Sequence, residues 1–152
     1  MIGYTTGVFD LFHVGHVNLL RNAKAMCDFL IVGVTTDKLV SYKHKQSVIP
    51  FKERFEIVQN SIHVDMVVPQ YDMDKVGAHK KLKFDKMFVG DDWYGTKKWE
   101  KIEKDLSKCG VQVVYFPYTE GTSSTLINSI LEEKRDDLKN KKKGFLCDNC
   151  EN

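Results

Sequence analysis

The chain has no apolar run approaching the roughly 18 residues that a membrane-crossing helix requires, which excludes a transmembrane span. It also lacks an excess of either charge: 23 lysines and arginines against 21 aspartates and glutamates leave a formal +2. Nucleic-acid binders usually carry larger or more segregated positive charge, so bulk charge gives that function no support. A basic leader and a cleavage-site pattern are missing from MIGYTTGVFDLFHVGH, which reads directly as a strand; the expectation is an uncleaved cytoplasmic protein. Cysteine is sparse, at positions 27, 109, 147 and 150. Cys27 and Cys109 adjoin apolar segments and are expected to be small buried thiols. Cys147 and Cys150 form a C-x-x-C without the second pair that a four-ligand zinc site needs, and are read as free thiols on a frayed tail. Internal repeats are absent.

What remains has the balance of a globular chain: 42% hydrophobic and 29% charged over 152 residues, enough for one domain and one core. Strand-like and helix-like segments alternate. Met1 to Thr5 reads as a short strand, followed by a helix through Val17, Leu19, Leu20, Ala23 and Ala25. Phe29 to Val34 (FLIVGV) is apolar without alternation, as in a strand covered on both faces. A helix over Lys52 to Ser61 starts at Pro50, and Met66 to Val68 is a strand closed by Pro69. Asp74 to Leu82 reads as a helix, Lys86 to Val89 as a strand, and Lys97 to Lys108 as a helix ending before Gly110. Val111 to Phe116 is a fifth strand, and a last helix runs from Ser124 towards Lys139.

This order predicts a single α/β domain: a doubly wound, Rossmann-like, five-stranded parallel sheet with helices on both faces. The domain is expected over residues 1–131, with 132–152 as a C-terminal helix extension and polar tail. Ligands of such sheets sit outside the carboxyl ends of the strands, where strand order reverses. The loops after the first and fifth strands are therefore the places to look for chemistry.

The first of these loops carries Gly7-Val8-Phe9-Asp10-Leu11-Phe12-His13-Val14-Gly15-His16. His13 and His16 are three residues apart at a predicted helix start, a spacing that puts two imidazoles on one side. Gly15 between them lets a ligand approach the backbone. The helix N-terminus adds free N–H groups and a positive dipole end, which favours phosphate. A surface pair of histidines is the bland alternative, and a metal pair lacks an accompanying carboxylate at helical spacing; phosphate binding fits the context better. The loop after the fifth strand reads Tyr118-Thr119-Glu120-Gly121-Thr122-Ser123-Ser124-Thr125 before apolar Leu126-Ile127. A helix cap needs one hydroxyl, and five hydroxyl residues with a glycine again describe a phosphate-facing N-terminus.

GVFDLFHVGH, Lys43-His44-Lys45, Arg54, Gly90-Asp91-Asp92-Trp93 and Thr119 to Thr125 together resemble the cytidylyltransferase family, over about residues 1–131. The resemblance implies that His13 and His16 contact a triphosphate and stabilise the transition state. It implies that Lys43 and Lys45 clamp phosphates, with Lys43 bridging towards the acceptor. Val8, Phe9 and Gly15 would line the nucleotide site, residues 118–125 would hold phosphates and ribose, and residues 90–93 would border the base. Asp10, Asp37, Arg54 and Lys75 complete the implied acceptor side. The family has arginine where this chain has Tyr118 and Ile62; Arg54, Lys75, Lys80 and Lys81 are the candidates to compensate.

The implied reaction joins CTP to a small phosphorylated alcohol, glycerol 3-phosphate first, with Mg²⁺ as cofactor and a homodimer as the assembly. The acceptor phosphate is already anionic, so no general base is required, and catalysis rests on alignment and charge stabilisation. Phosphoethanolamine or a pentitol phosphate as acceptor, an ATP-dependent adenylyltransferase, and an inactive nucleotide-binding module are the alternatives.

Overall fold

The computed structural model describes residues 1–42 and 45–147, the last six of these by backbone alone. Its strands are β1 (Ile2–Gly7), β2 (Phe29–Thr35), β3 (Met66–Gln70), β4 (Lys86–Gly90) and β5 (Gln112–Phe116). All four pairings are parallel, and the sheet order is β3-β2-β1-β4-β5. The chain winds outward from β1 to β3 on one side, then returns to lay β4 and β5 on the other. The reversal falls between β1 and β4, so the crevice expected of a doubly wound sheet opens above those two strands.

Side-chain alternation along the strands separates two cores. In β2, Leu30, Val32 and Val34 face Leu20 and Ala23 of α1 (Val14–Ala25) and Val58 of α3 (Phe51–Gln59). Ile31, between them, faces the opposite cluster with Met87, Val89, Trp99 and Leu106. The last two belong to α5 (Lys97–Lys108), which shares its face with α4 (Lys75–Leu82). Phe88 of β4 returns to the α1 side and stacks on Phe116 of β5, ring centroids 5.5 Å apart. A strand buried on both faces carries no polar alternation, which is why FLIVGV reads as it does.

Four elements differ from the sequence expectation. A short helix α2 (Asp37–Tyr42) follows β2, and a 3₁₀ turn covers Asp91–Trp93; both are too short to leave a periodic signature. The strand β3 continues through Pro69 to Gln70. Only β2 pairs with it, and an edge strand tolerates the missing N–H. The last helix, α6 (Ser124–Cys147), runs unbroken beyond Lys139 and is exposed from Ser129 to Lys141. Cys27 is half-buried as a small thiol, but Cys109 is exposed. It caps the carboxyl end of α5, a position that turns outward before Gly110. Cys150 lies outside the described residues, as does the Cys147 side chain.

Phe88 is 1% exposed and fills the space between α1 and β5. Phe88→Ala is expected to cost about 3–5 kcal/mol, the usual range for emptying a buried aromatic site. Chemical denaturation of the two proteins, comparing midpoints at constant slope, measures it.

Candidate active site

The two motif histidines meet at the start of α1 in a reciprocal arrangement. His13 is the N-cap, and its Nδ1 accepts from the Gly15 N–H at 3.0 Å. His16 Nδ1 accepts in turn from the His13 N–H at 3.1 Å. This is a capping box built from imidazoles, and it satisfies two helix-end donors. A Cβ on residue 15 would sit 2.7 Å from His13 Cε1, so only glycine lets the first ring fold over the helix end.

The same bonds fix the protonation of the pair. With Nδ1 accepting, the proton of each neutral ring resides on Nε2, and each ring has one N–H left to donate. The rings are 4.0 Å apart by centroid, with Phe12 stacked on His16 at 5.2 Å and Phe9 at 5.4 Å. Burial, followed by the neighbouring His13, pushes His16 down to about 4 against a weaker upward pull from Asp10. Burial lowers His13 as well. Both side chains are therefore neutral donors at physiological pH.

The loop before them is strained. Phe9 and Leu11 both have positive φ, at 54° and 48°, a region that costs a side-chain-bearing residue free energy and persists where surroundings over-determine it. Here the surroundings are visible. The Asp10 carboxylate accepts from the N–H groups of Val48 and Ile49 at 2.8 and 2.9 Å. Ser124 Oγ donates to the Asp10 carbonyl. Arg54 reaches in from α3: Nη1 donates to the Val8 and Thr35 carbonyls, both at 2.7 Å, Nε to the Ile49 carbonyl at 2.8 Å, and Nη2 to the Asp37 carboxylate at 2.7 Å.

Those contacts correct one expectation. Arg54 is 0% exposed and spends its donors on the protein, so in this arrangement it braces the site rather than facing an acceptor. Asp10 and Asp37 are likewise committed. Asp37 accepts from the Phe51 N–H at the start of α3 and from Ser47 Oγ, and the Phe51 N–H leads the contacts that hold its carboxyl below the usual range. Together the three residues tie the 45–50 segment, which carries Lys45, to the loop carrying the histidines. Lys43 lies outside the described residues.

Three hollows converge above β1 and β4. The first, about 250 Å³, is lined by His13, Gly15, His16, Gly90, Asp92 and residues of the β5–α6 loop. In that loop Thr119, Thr122, Ser123 and Ser124 face the cavity, Gly121 turns at φ +79°, and Ser123 caps α6 by accepting the Leu126 N–H at 3.0 Å. Tyr118 is half-exposed on its wall, its hydroxyl 3.4 Å from the Thr122 carbonyl that it donates to. Glu120 is exposed and lines none of the three. The second hollow joins Val8, Phe9, Asp10 and His16 to Lys45, Ser124 and Thr125. The third lies beside Val8, Gly90, Trp93 and Lys75. Asp91 begins the 3₁₀ turn between Gly90 and Trp93. Ile62 is 90% exposed.

Sequence reading missed Asn18 and Asn22. Both line the first hollow, and Asn18 Nδ2 donates to Thr119 Oγ1 at 3.3 Å, tethering the far loop to α1. Their spacing of four residues places them on one helix face, a signal that was available.

Comparison with known proteins decides the family. The cytidylyltransferase-like family matches residues 4–136. The chain belongs to that family. Its members are nucleotidyltransferase enzymes, and this chain is one. It is 36% identical over 131 residues to glycerol-3-phosphate cytidylyltransferase of Staphylococcus aureus, covering 86% of this chain and 94% of that protein. It is 33% identical over 132 residues to FAD synthase of Archaeoglobus fulgidus, covering 84% and 96%. Among solved structures, the lipopolysaccharide core biosynthesis protein of Thermoplasma volcanium shares the fold with a TM-score of 0.66 at 23% identity, over 80% of this chain and 98% of that one.

A histidine whose folded value lies near 4 takes up its proton more readily in the unfolded chain, where about 6.5 is usual. The native state of this nucleotidyltransferase therefore loses stability as pH falls from about 6.5 to about 4, by about 3 kcal/mol from His16 alone. Unfolding free energies at pH 7 and pH 4 should show that much less acid loss in His16→Asn than in the wild type. An equal acid loss in both would remove His16 as the cause.

Proposed function

We propose that the enzyme transfers a cytidylyl group from CTP to a small phosphorylated alcohol, with glycerol 3-phosphate the first candidate, giving CDP-glycerol and pyrophosphate. The observation that carries this reading is the pair of neutral Nε2–H donors fixed at a helix N-terminus, facing a hydroxyl-lined loop across one cavity. Similarity to a protein named for that reaction supports the substrates.

In this reading an oxygen of the acceptor phosphate attacks the α-phosphorus of CTP. A new P–O bond forms, the bond from the α-phosphorus to the bridging oxygen breaks, and pyrophosphate leaves with that electron pair. The nucleophile is already an anion, so no side chain has to remove a proton. His13 and His16 donate to oxygens on which charge accumulates, and their fixed rings require no reorganisation as it develops. Lys45, and Lys43 beside it in sequence, draw two mutually repelling anions together. Tyr118, Thr119, Thr122, Ser123, Ser124 and Thr125 hold phosphates and ribose, while the 90–93 turn borders the base.

Mg²⁺ belongs to the proposal as a companion of the triphosphate, neutralising its charge. Phosphates and water would hold it, since Mg²⁺ keeps several waters and binds largely through substrate phosphates. We also take the enzyme to act as a cytoplasmic homodimer. No described helix is long and apolar enough to cross a membrane. Adenylyl transfer from ATP is the second reading, supported by the similarity to FAD synthase.

Pyrophosphate release with Mg²⁺ and either CTP or ATP, across a panel of phosphorylated alcohols, is the direct test. Turnover with CTP and glycerol 3-phosphate is expected, and turnover with ATP alone would replace the cytidylyl reading by the adenylyl one. His16→Ala should lower kcat by about 100-fold or more, the scale of losing one preorganised donor. Steady-state kinetics showing a change confined to KM would contradict that role.

A further inference from the structure

One wall of the first hollow is built from a chain of hydrogen bonds that begins on an exposed cation. On α1, Arg21 Nη1 donates to Asn18 Oδ1 at 3.1 Å, a contact that a spacing of three residues on one helix allows. A guanidinium only donates, so the Asn18 atom turned towards it is the carbonyl oxygen, and the amide N–H₂ group faces the other way. There Asn18 Nδ2 donates to Thr119 Oγ1 at 3.3 Å, joining α1 to the β5–α6 loop. Residue 119 rides over the histidine turn: a Cβ on Gly15 would lie 3.6 Å from Thr119 Cβ. Asn18, Thr119, His13 and His16 all line the hollow.

The direction of this chain fixes what the hydroxyl at its end can do. A threonine hydroxyl has one proton and two lone pairs. One lone pair of Thr119 Oγ1 is taken by the Asn18 amide, so the proton cannot point at Asn18, and among the described residues no side chain or carbonyl accepts it. The O–H is left to donate into the hollow that Thr119 lines. Each bond of the chain polarises the next, and a cation at its head makes the last O–H a better donor. The neighbouring bond, from the Tyr118 hydroxyl to the Thr122 carbonyl, stays within the loop and sets no such polarity. Asn18 therefore does two things at once. It holds the loop against the start of α1, and it makes Thr119 a donor rather than an acceptor, the property that an anionic phosphate oxygen requires.

We propose that Asn18 is a positioning residue for nucleotide binding: oriented by Arg21, its amide fixes Thr119 as an obligatory hydrogen-bond donor to an oxygen of the nucleoside triphosphate. The assignment rests on the nucleotidyl-transfer reading given above, and it adds the residue that sets the polarity of the loop facing the two histidines.

The decisive substitution is Asn18→Asp, which keeps the size of the side chain but replaces the amide donor by a second acceptor. The Thr119 proton then turns back to the new carboxylate, and oxygen lone pairs face the hollow. A carboxylate also repels a triphosphate directly, so the substitution is made in two backgrounds, the wild type and Thr119→Val, which keeps the shape of threonine without its hydroxyl. Calorimetric titration with CTP and Mg²⁺, and separately with ATP and Mg²⁺, gives Kd for each protein, and chemical denaturation checks that each is folded. Should Thr119→Val fail to fold, Thr119→Ala serves as the second background. Thr119→Val is expected to weaken CTP binding by about tenfold or more, the scale of losing one hydrogen bond to a charged oxygen, and Thr119→Ser to retain most of the affinity. Asn18→Asp should weaken binding at least as much in the wild type, and by a severalfold smaller factor in the background without the hydroxyl. An equal factor in both backgrounds overturns the proposal, because the carboxylate then acts by its charge alone. Unchanged affinity in folded Thr119→Val overturns it too, and leaves cytidylyl transfer intact. The expected pattern with ATP alone keeps the assignment and removes CTP as the nucleotide. A folded wild type that binds neither nucleotide removes both.

Discussion

The buried guanidinium of Arg54 is the interaction on which the rest of the site depends. It arrives from α3, yet it binds the carbonyl ends of two central strands and the segment between α2 and α3 at once. A fork of planar donors is suited to this, because several acceptors can be held at fixed angles by one rigid group. Its charge is balanced by Asp37, which also starts α3 by accepting the Phe51 N–H. Helix, loop and strand ends are thereby locked to one another before any ligand arrives. The two αL residues Phe9 and Leu11 persist in that frame, and their backbone geometry aims the chain into α1.

From that frame follows the state of the histidines. Each Nδ1 is occupied by a backbone N–H, and the aromatic rings of Phe9 and Phe12 remove water from His16. A pair of this kind is poor at accepting protons and good at donating hydrogen bonds. The proposed transfer between two phosphates asks for the second property, since the attacking oxygen carries its own charge. The missing general base and the depressed histidines are thus two sides of one design.

Much of this was legible in the sequence. The unalternating FLIVGV, the glycine between two histidines and the hydroxyl-rich turn before Leu126 each have a local cause that requires no knowledge of distant contacts. The sheet, its two covered faces and the crevice location followed from them. The part that was not legible is the use of charged residues. Asp10, Asp37 and Arg54 look alike on paper, as polar groups beside a phosphate site. Whether such a group faces ligand or backbone is decided by chain segments as far as 46 residues away, and Val48 and Ile49 carry no mark that they donate to Asp10. The passage of β3 through Pro69 was hidden for a related reason, because tertiary placement at a sheet edge overrode a local signal, whereas the short α2 leaves no periodic signature.

The last helix has a mechanical consequence. Its first turn belongs to the β5–α6 loop, where Ser123 caps it and Ser124 touches the strained segment at Asp10. Its 24 residues make a rod about 36 Å long. A tilt of about 10° at the root would swing the far end by about 6 Å, from the length that helical rise dictates. A small reorientation of the β5–α6 loop would thus be magnified into a displacement at the tip large enough for a distance-sensitive label to register.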